Sequence, residues 1–440
     1  MEIGSCSPIR TVHVAKGVGI FILANLLLLY VPITAIGLGT LLLVAGGCLF
    51  LDHKNLIVLV CALVGLTMAL ELAARWASPS SMKPYYRPHE MLALEKTYRP
   101  SETVQMDVQH GDLLATDPLL PRDLAQPRQE VFTTDSLGYR NTGEYAGERL
   151  FIVGDSFVAG IGNTQEDTLT SQLRRDFGVH AYNLGFPSGP QGYAERVKWA
   201  RSKFSENSCI AVVFFEGNDF QLTESTEVAA RSVVPKGFQL FAKSYIQVVR
   251  GHSEFSRVFY GLTTRAWEII HERQKARSAG EGKGSLPQAI TFVKTIDGQP
   301  MGFLRGYAEV VQRQIFDDHG FIQEKLSEAK PDLILFVPDK YRVYSGLFDE
   351  EAQTSLPNVQ WDYLLSVANK LGVPAFNLTD KLIEHARQIL PGGGTIYWRD
   401  DTHWNREGIT VGAKQLVEAG RSMQNERCRS AFKEDRLSSS

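Results

Sequence analysis

From Gly17 to Leu51 the chain runs for 35 residues without one Asp, Glu, Lys or Arg. A second uncharged run, Asn55 to Leu70, follows after Asp52, His53 and Lys54. About 20 apolar residues suffice to cross the ~30 Å hydrocarbon core of a bilayer as a helix. A secretory signal has an apolar core of only ~7–15 residues before its cleavage site, so this block is expected to stay in the chain as a transmembrane region at 17–75. One helix of that first run would be about 52 Å long, too long for a single crossing. Pro32, Gly37 and Gly39 offer the break. Three spans, near 17–33, 35–51 and 55–74, would place the rest of the chain opposite residues 1–16, whose Arg10 and Lys16 mark them as cytoplasmic. Two spans would reverse that, and both counts remain open. The lipid bilayer is the first expected partner.

The remaining residues are of ordinary composition, with a net charge of −3 over the whole chain. No basic excess points to a nucleic-acid partner. The five cysteines show neither a Cys-x-x-Cys nor a zinc-type spacing, so no metal and no cofactor is expected.

Residues 76–146 are polar and rich in proline and read as an extended connector. From Leu150 onward short β-type runs alternate with helical patterns, which implies a parallel sheet covered by helices. The expected fold is a three-layer α/β/α domain at 147–435, interrupted by a helical insertion at about 220–306. The pattern resumes with a helix near 307–329, strands at Leu333–Val337 and Ala375–Leu378, and a last helix after Asn405.

Three blocks carry the chemistry. Leu150-Phe-Ile-Val-Gly154-Asp155-Ser156-Phe157 is an apolar strand running into Gly-Asp-Ser, which sets the Ser156 hydroxyl at the carboxyl end of a parallel strand. Ligands bind α/β folds there. Phe214-Phe215-Glu216-Gly217-Asn218-Asp219 is again a strand ending in small polar residues, and the Asn218 amide is a candidate donor to an oxyanion. Asp400-Asp401-Thr402-His403-Trp404-Asn405 sets a carboxylate two or three residues before a histidine, able to fix one imidazole tautomer while the other nitrogen takes the serine proton. Each block alone makes an ordinary turn; their order makes a site. His403 is preferred over His110, His271, His319 and His385 because it follows the last strand in a loop that opens a helix.

In this order, Gly-Asp-Ser-Phe, Gly-Asn-Asp and a late Asp-His pair, the sequence resembles the SGNH (GDSL) hydrolases. The resemblance implies Ser156 as nucleophile, His403 as base, Asp401 or Asp400 as the acid, and an oxyanion hole from Ser156, Gly189 and Asn218. The family's second block falls in Asn183-Leu-Gly185-Phe-Pro-Ser188-Gly189, where Gly189 is chosen although the usual spacing falls on Ser188, so both stand as amide donors. Asp401-Thr-His-Trp404, with Val337-Pro-Asp-Lys340-Tyr-Arg-Val-Tyr344 before it, is similar to the SGNH-like domains of the alginate O-acetylation proteins, and Gly138-Tyr-Arg-Asn141 also fits membrane-linked members of the wider group.

This implies a membrane-anchored serine esterase or O-acyltransferase acting on acyl, chiefly acetyl, esters of a cell-envelope or exported polysaccharide. The carbohydrate or an acylated small molecule is then the second partner, and the domain is expected on the periplasmic or outer side of a bacterial inner membrane. Two readings of other classes stand beside it: a non-catalytic carbohydrate-binding or assembly protein using the same crevice, and a lipid-directed lipase or thioesterase. An exported domain permits a disulfide. Cys209 opens the strand leading to Asn218 and Cys428 follows the last helix, so both should emerge at the end of the sheet remote from Ser156 and pair.

Overall fold

The computed structural model describes residues 87–94, 96–117, 120–220, 290–314, 316, 320–348 and 356–433, with isolated positions between 62 and 72. The chain divides into Arg87–Ala230 with Ala289–Ser440, and Met1–Tyr86 with Arg231–Gln288. The fold below is that of the first unit. Among the described residues no helix is long and apolar enough to cross a membrane. The expected spans at 17–75, apart from the isolated positions, lie outside the described residues, as does the expected insertion from 221 to 289.

The stretch expected to be a connector opens with α1 (Pro88–Leu92), β1 (Thr103–Val108), α2 (Asp112–Thr116) and β2 (Arg128–Thr133). β1 and β2 pair antiparallel, from Thr103 opposite Thr133 to Val108 opposite Arg128. This corrects the boundary drawn at 147: residues 87–146 belong to the same compact unit as the residues after them. Proline here starts or bounds short elements, as Pro88 does at the first turn of α1. The segment is held both by small apolar clusters, such as Leu113, Leu114, Leu120 and Leu124, and by buried charges such as Arg87, Glu130 and Arg140, and its polar, proline-rich composition concealed its place in the core.

β3 (Leu150–Gly154), α3 (Ser156–Ala159), α4 (Leu169–Phe177), β4 (Ala181–Gly185), α5 (Pro190–Lys203) and β5 (Cys209–Phe215) follow. After the undescribed segment come β6 (Thr291–Ile296), β7 (Gln299–Leu304), α6 (Arg305–Arg313), α7 (Phe321–Ala329), β8 (Leu333–Val337), α8 (Lys340–Tyr344), α9 (Val359–Leu371), β9 (Ala375–Asn377), α10 (Thr379–Ile389), α11 (Arg406–Ser422) and α12 (Glu426–Ala431). Two expectations are corrected. β6 and β7 form an antiparallel hairpin, where helices were expected up to 306. Its turn is Asp297-Gly298, both at positive φ, 48° and 76°, the dipeptide that suits a two-residue hairpin loop. The single helix expected at 307–329 is two helices, and Gln314 ends the first with φ 52°.

The five-stranded sheet is parallel, in the order β4-β3-β5-β8-β9. Its side chains divide with period two. Leu150, Ile152, Cys209, Ala211, Val213, Leu333 and Leu335 enter the core cluster that also holds Ile409, Ala413 and Leu416 of α11. Phe151, Val153, Ile210, Val212, Ile334 and Phe336 enter the other, with Val197 of α5, Leu326 of α7 and Leu364 of α9. Each strand is therefore apolar on both faces, and helices cover both, which gives the expected three layers. The order reverses at β3: β4 lies on one side of it and β5 on the other. The crevice beyond the carboxyl ends of β3 and β5 is thus the topological switch point.

Candidate active site

Ser156 is the first residue of α3, two residues beyond the end of β3. Asp155 caps this short helix, its Oδ1 accepting from the Phe157 amide at 2.8 Å. Close packing fixes the turn. A Cβ on Gly154 would sit 2.4 Å from Val158 Cγ2, and one on Gly185 only 2.2 Å from the Ala159 nitrogen. The exit of α3 is pinned by Arg140. Its Nη1 donates to the carbonyls of Ala159 (3.0 Å) and Gly160 (2.6 Å), its Nη2 to Val131 (2.8 Å) and Asn163 (2.7 Å), and its Nε to Gln165 Oε1 (3.1 Å). Beside it Asn141 caps the free edge of β4, donating to the Asn183 carbonyl at 3.2 Å and accepting from its amide at 2.9 Å. The Gly138–Asn141 turn is therefore scaffold for the helix that Ser156 begins.

His403 and Asp401 meet in the loop before α11. His403 Nδ1 lies 2.7 Å from Asp401 Oδ1, which also accepts the His403 amide at 3.1 Å. This contact falls to Asp401 and not to Asp400. Asp400 is spent on the backbone, accepting from the amides of Gly111 (2.7 Å) and Gln126 (2.8 Å) and from Arg128 Nη1 (3.2 Å). The other oxygen of Asp401 accepts from Arg128 Nη2 at 2.9 Å, from the Asp112 amide at 3.2 Å, and from Arg87. Asp112 in turn accepts from the amide (2.8 Å) and hydroxyl of Thr402, and its Oδ2 lies 3.6 Å from His403 Nδ1. Arg87, Arg128 and Asp112 all come from the segment expected to be a connector. No local pattern marks them, since their partners lie close to 300 residues away.

The loop rests on α3. The Phe157 ring packs 5.1 Å from the His403 ring and 4.0 Å from that of Phe215, and Trp404 Nε1 donates to the Phe157 carbonyl at 3.3 Å. Phe157 and Trp404 are thereby core residues; Trp398, half-buried under the Arg128 guanidinium at 4.3 Å, is not. Among the described residues no hydrogen bond joins Ser156 Oγ to His403. Such contacts are commonly loose without substrate and close on binding. Lys340 braces the loop from below, its Nζ donating to the carbonyls of Trp398 (2.6 Å), Arg399 (3.0 Å) and Asp401 (3.1 Å).

The two oxyanion candidates follow β4 and β5, the strands on either side of β3. Asn218 is exposed beyond β5, presented by a loop that Asp219 folds back: its carboxylate accepts from Tyr193 Oη (2.7 Å) and from the Phe215 amide (2.7 Å). Gly189 caps α5, is exposed, and has open space where a Cβ would lie. Ser188 is tied down by Arg196, whose Nη2 donates to Ser188 Oγ at 2.8 Å and to the Gly154 carbonyl at 3.0 Å. One guanidinium thus links the end of β3 to the second block.

Burial pushes the His403 imidazole below its ordinary value, opposed first by the Asp112 carboxylate. Burial likewise lifts Asp155 to about 6, against the Phe157 amide, and brings Lys340 down to about 7. Asp112, Asp401 and His403 offer ligand atoms within 4.8 Å of one another. They suit a cation poorly, because one oxygen of Asp401 already faces two guanidiniums and the other holds His403.

A parallel five-stranded sheet covered by helices, with an Asp-x-His pair beyond its carboxyl edge, fits an SGNH hydrolase-like domain. Residues 322–437 match the family model described as the SGNH hydrolase-like domain of the acetyltransferase AlgX. That segment runs from within α7 to beyond α12, so it holds Lys340, Asp401 and His403 and leaves Ser156 and Asn218 outside. No curated protein matches the chain.

Proposed function

We propose that this chain is a membrane-anchored serine esterase or O-acetyltransferase that handles acetyl esters of an exported polysaccharide. The observation that carries the reading is the 2.7 Å contact of His403 Nδ1 with Asp401 Oδ1 in a loop packed on the helix that Ser156 begins. In this reading Asp401 holds the imidazole with Nε2 free, Nε2 takes the Ser156 proton, and Ser156 Oγ attacks the ester carbonyl. The tetrahedral oxyanion is received by the amides of Ser156 and of Gly189 or Ser188 and by the Asn218 side chain. His403 then returns the proton to the leaving alcohol, and water or a sugar hydroxyl resolves the acyl-enzyme. The likeness to an AlgX domain supports acetyl as the acyl group and a polysaccharide as its carrier.

For the anchor the support is the uncharged block at 17–75. Three spans would put the domain outside the cytoplasm. The Cys209–Cys428 bridge, with Cα atoms 5.0 Å apart, agrees with an oxidising compartment. Fusions of a reporter after Ser80 that are active only in the cytoplasm would reverse the topology.

The test of the chemistry is Ser156→Ala. Hydrolysis of p-nitrophenyl acetate should fall at least about a thousandfold, and labelling by a fluorophosphonate probe should vanish. Near-wild-type turnover in that variant would end the serine reading, and acetyl transfer to an oligosaccharide acceptor separates transferase from esterase.

A further inference from the structure

We infer that Asp112 is a positioning residue acting through His403: a second carboxylate that supplies the negative charge facing the imidazolium, while Asp401 supplies its orientation. The inference rests on the serine–histidine reading above and deepens it.

Two carboxylates approach the same ring nitrogen, Asp401 Oδ1 at 2.7 Å and Asp112 Oδ2 at 3.6 Å. They are not equivalent. Asp401 is fully buried, and its outer oxygen is bonded by both Arg87 and Arg128. A carboxylate that already faces two cations presents little net field to a third. It can fix a tautomer, but most of its charge is answered elsewhere. Asp112 differs: among the described residues no Lys or Arg lies within ion-pair distance of it, Lys340 acting on it only from farther off, and His403 is the one basic side chain against it. Its other bonds are to the amide and hydroxyl of Thr402, the residue between Asp401 and His403.

The backbone is shaped for this approach. Gly111, just before Asp112, lies so close to the loop that a Cβ there would stand 2.2 Å from the Asp400 carbonyl oxygen. The Leu113 amide donates to that same carbonyl at 3.2 Å. The start of α2 is thus clamped to the Asp400–His403 loop at three successive residues. The other charged and titratable groups facing His403 are Arg87 and His89 at α1, Arg128 and Glu130 on β2, and Asp155 beyond β3. Of the charges acting on the imidazole, Asp112 is the foremost that favours its protonated form.

The experiment compares Asp112→Asn, Asp112→Glu and Thr402→Val in the full chain, reading p-nitrophenyl acetate hydrolysis and fluorophosphonate labelling of Ser156 from pH 5 to 9. Asp112→Asn keeps the shape and removes the charge. It should lower kcat/KM by about tenfold or more and move the acid-side midpoint down by about 1–2 pH units. Thr402→Val breaks the hydroxyl bond and keeps the charge, so its midpoint should stay with the wild type whatever its rate, as should that of Asp112→Glu. An unchanged midpoint in Asp112→Asn overturns the inference, and so does an equal displacement in Thr402→Val, which would make Asp112 a mere anchor for the loop. Activity persisting in Ser156→Ala would instead sink the serine reading itself, so the two failures are distinct.

Discussion

Arg128 Nη2 donates to Asp401 Oδ2 at 2.9 Å across 273 residues of sequence. The same guanidinium reaches Asp400 through Nη1 at 3.2 Å, so one side chain of β2 fixes both members of the Asp-Asp pair. The polar segment before β3 therefore reaches the candidate site, and its contacts there are largely ionic.

Arg128→Met should destabilise the domain by about 3–5 kcal/mol, the usual cost of leaving one member of a buried ion pair alone. Arg128→Lys should recover little, because an ammonium cannot span two carboxylates as the planar fork does. Urea midpoints read the stability, and labelling of Ser156 should fall in parallel as Asp401 loses its hold. Wild-type midpoints for Arg128→Met would refute the clamp.

Gly185→Ala and Gly189→Ala are expected to part company. The first places a methyl 2.2 Å from the Ala159 nitrogen, within the backbone of α3, where no side chain can swing aside. Overpacking of this kind costs about 1–3 kcal/mol or more, and probe labelling should drop. The second meets nothing within 4 Å, at a φ of −101° open to alanine, and keeps its N–H. Stability and ester turnover should both survive it.

The acid limb of ester hydrolysis should have its midpoint below 6.5, the ordinary histidine value. The sign follows from the role: a general base must be neutral, and burial holds His403 neutral to a lower pH than in water. A pH profile of kcat/KM with the half-point clearly above 6.5 would contradict both the burial of the ring and its assignment as base.

Reduction of the Cys209–Cys428 bridge should cost about 2–5 kcal/mol of stability, seen as a lower urea midpoint with dithiothreitol. It joins residues 219 apart, at the start of β5 and in α12, the end of the sheet opposite Ser156. Below the unfolding range kcat should hardly change. A large fall in kcat on reduction, with stability intact, would mean that the two ends of the sheet are coupled.

Local pattern carries what short-range physics writes into the chain. Strands buried on both faces must be apolar throughout, so Leu150–Val153, Ile210–Phe215 and Leu333–Val337 were legible, and with them the strand ends at which Ser156 and Asn218 stand. The hairpin at 291–304 was missed, although Asp297-Gly298 could have marked its turn, because its polar residues resemble those of a surface helix. The pairing of Cys209 with Cys428 followed from the direction of one strand and one helix. Sequence spacing left Asp400 and Asp401 unresolved, because both stand within reach of His403 along the chain.

The tertiary structure decided between them. Arg87, Gly111, Asp112, Gln126 and Arg128 arrive from a remote segment and assign Asp400 to backbone amides and Asp401 to the imidazole. A charged residue in a polar stretch reads as solvated unless its counter-charge is seen beside it. That adjacency exists only once the chain has folded, whereas hydrophobic periodicity is present in every strand before it does.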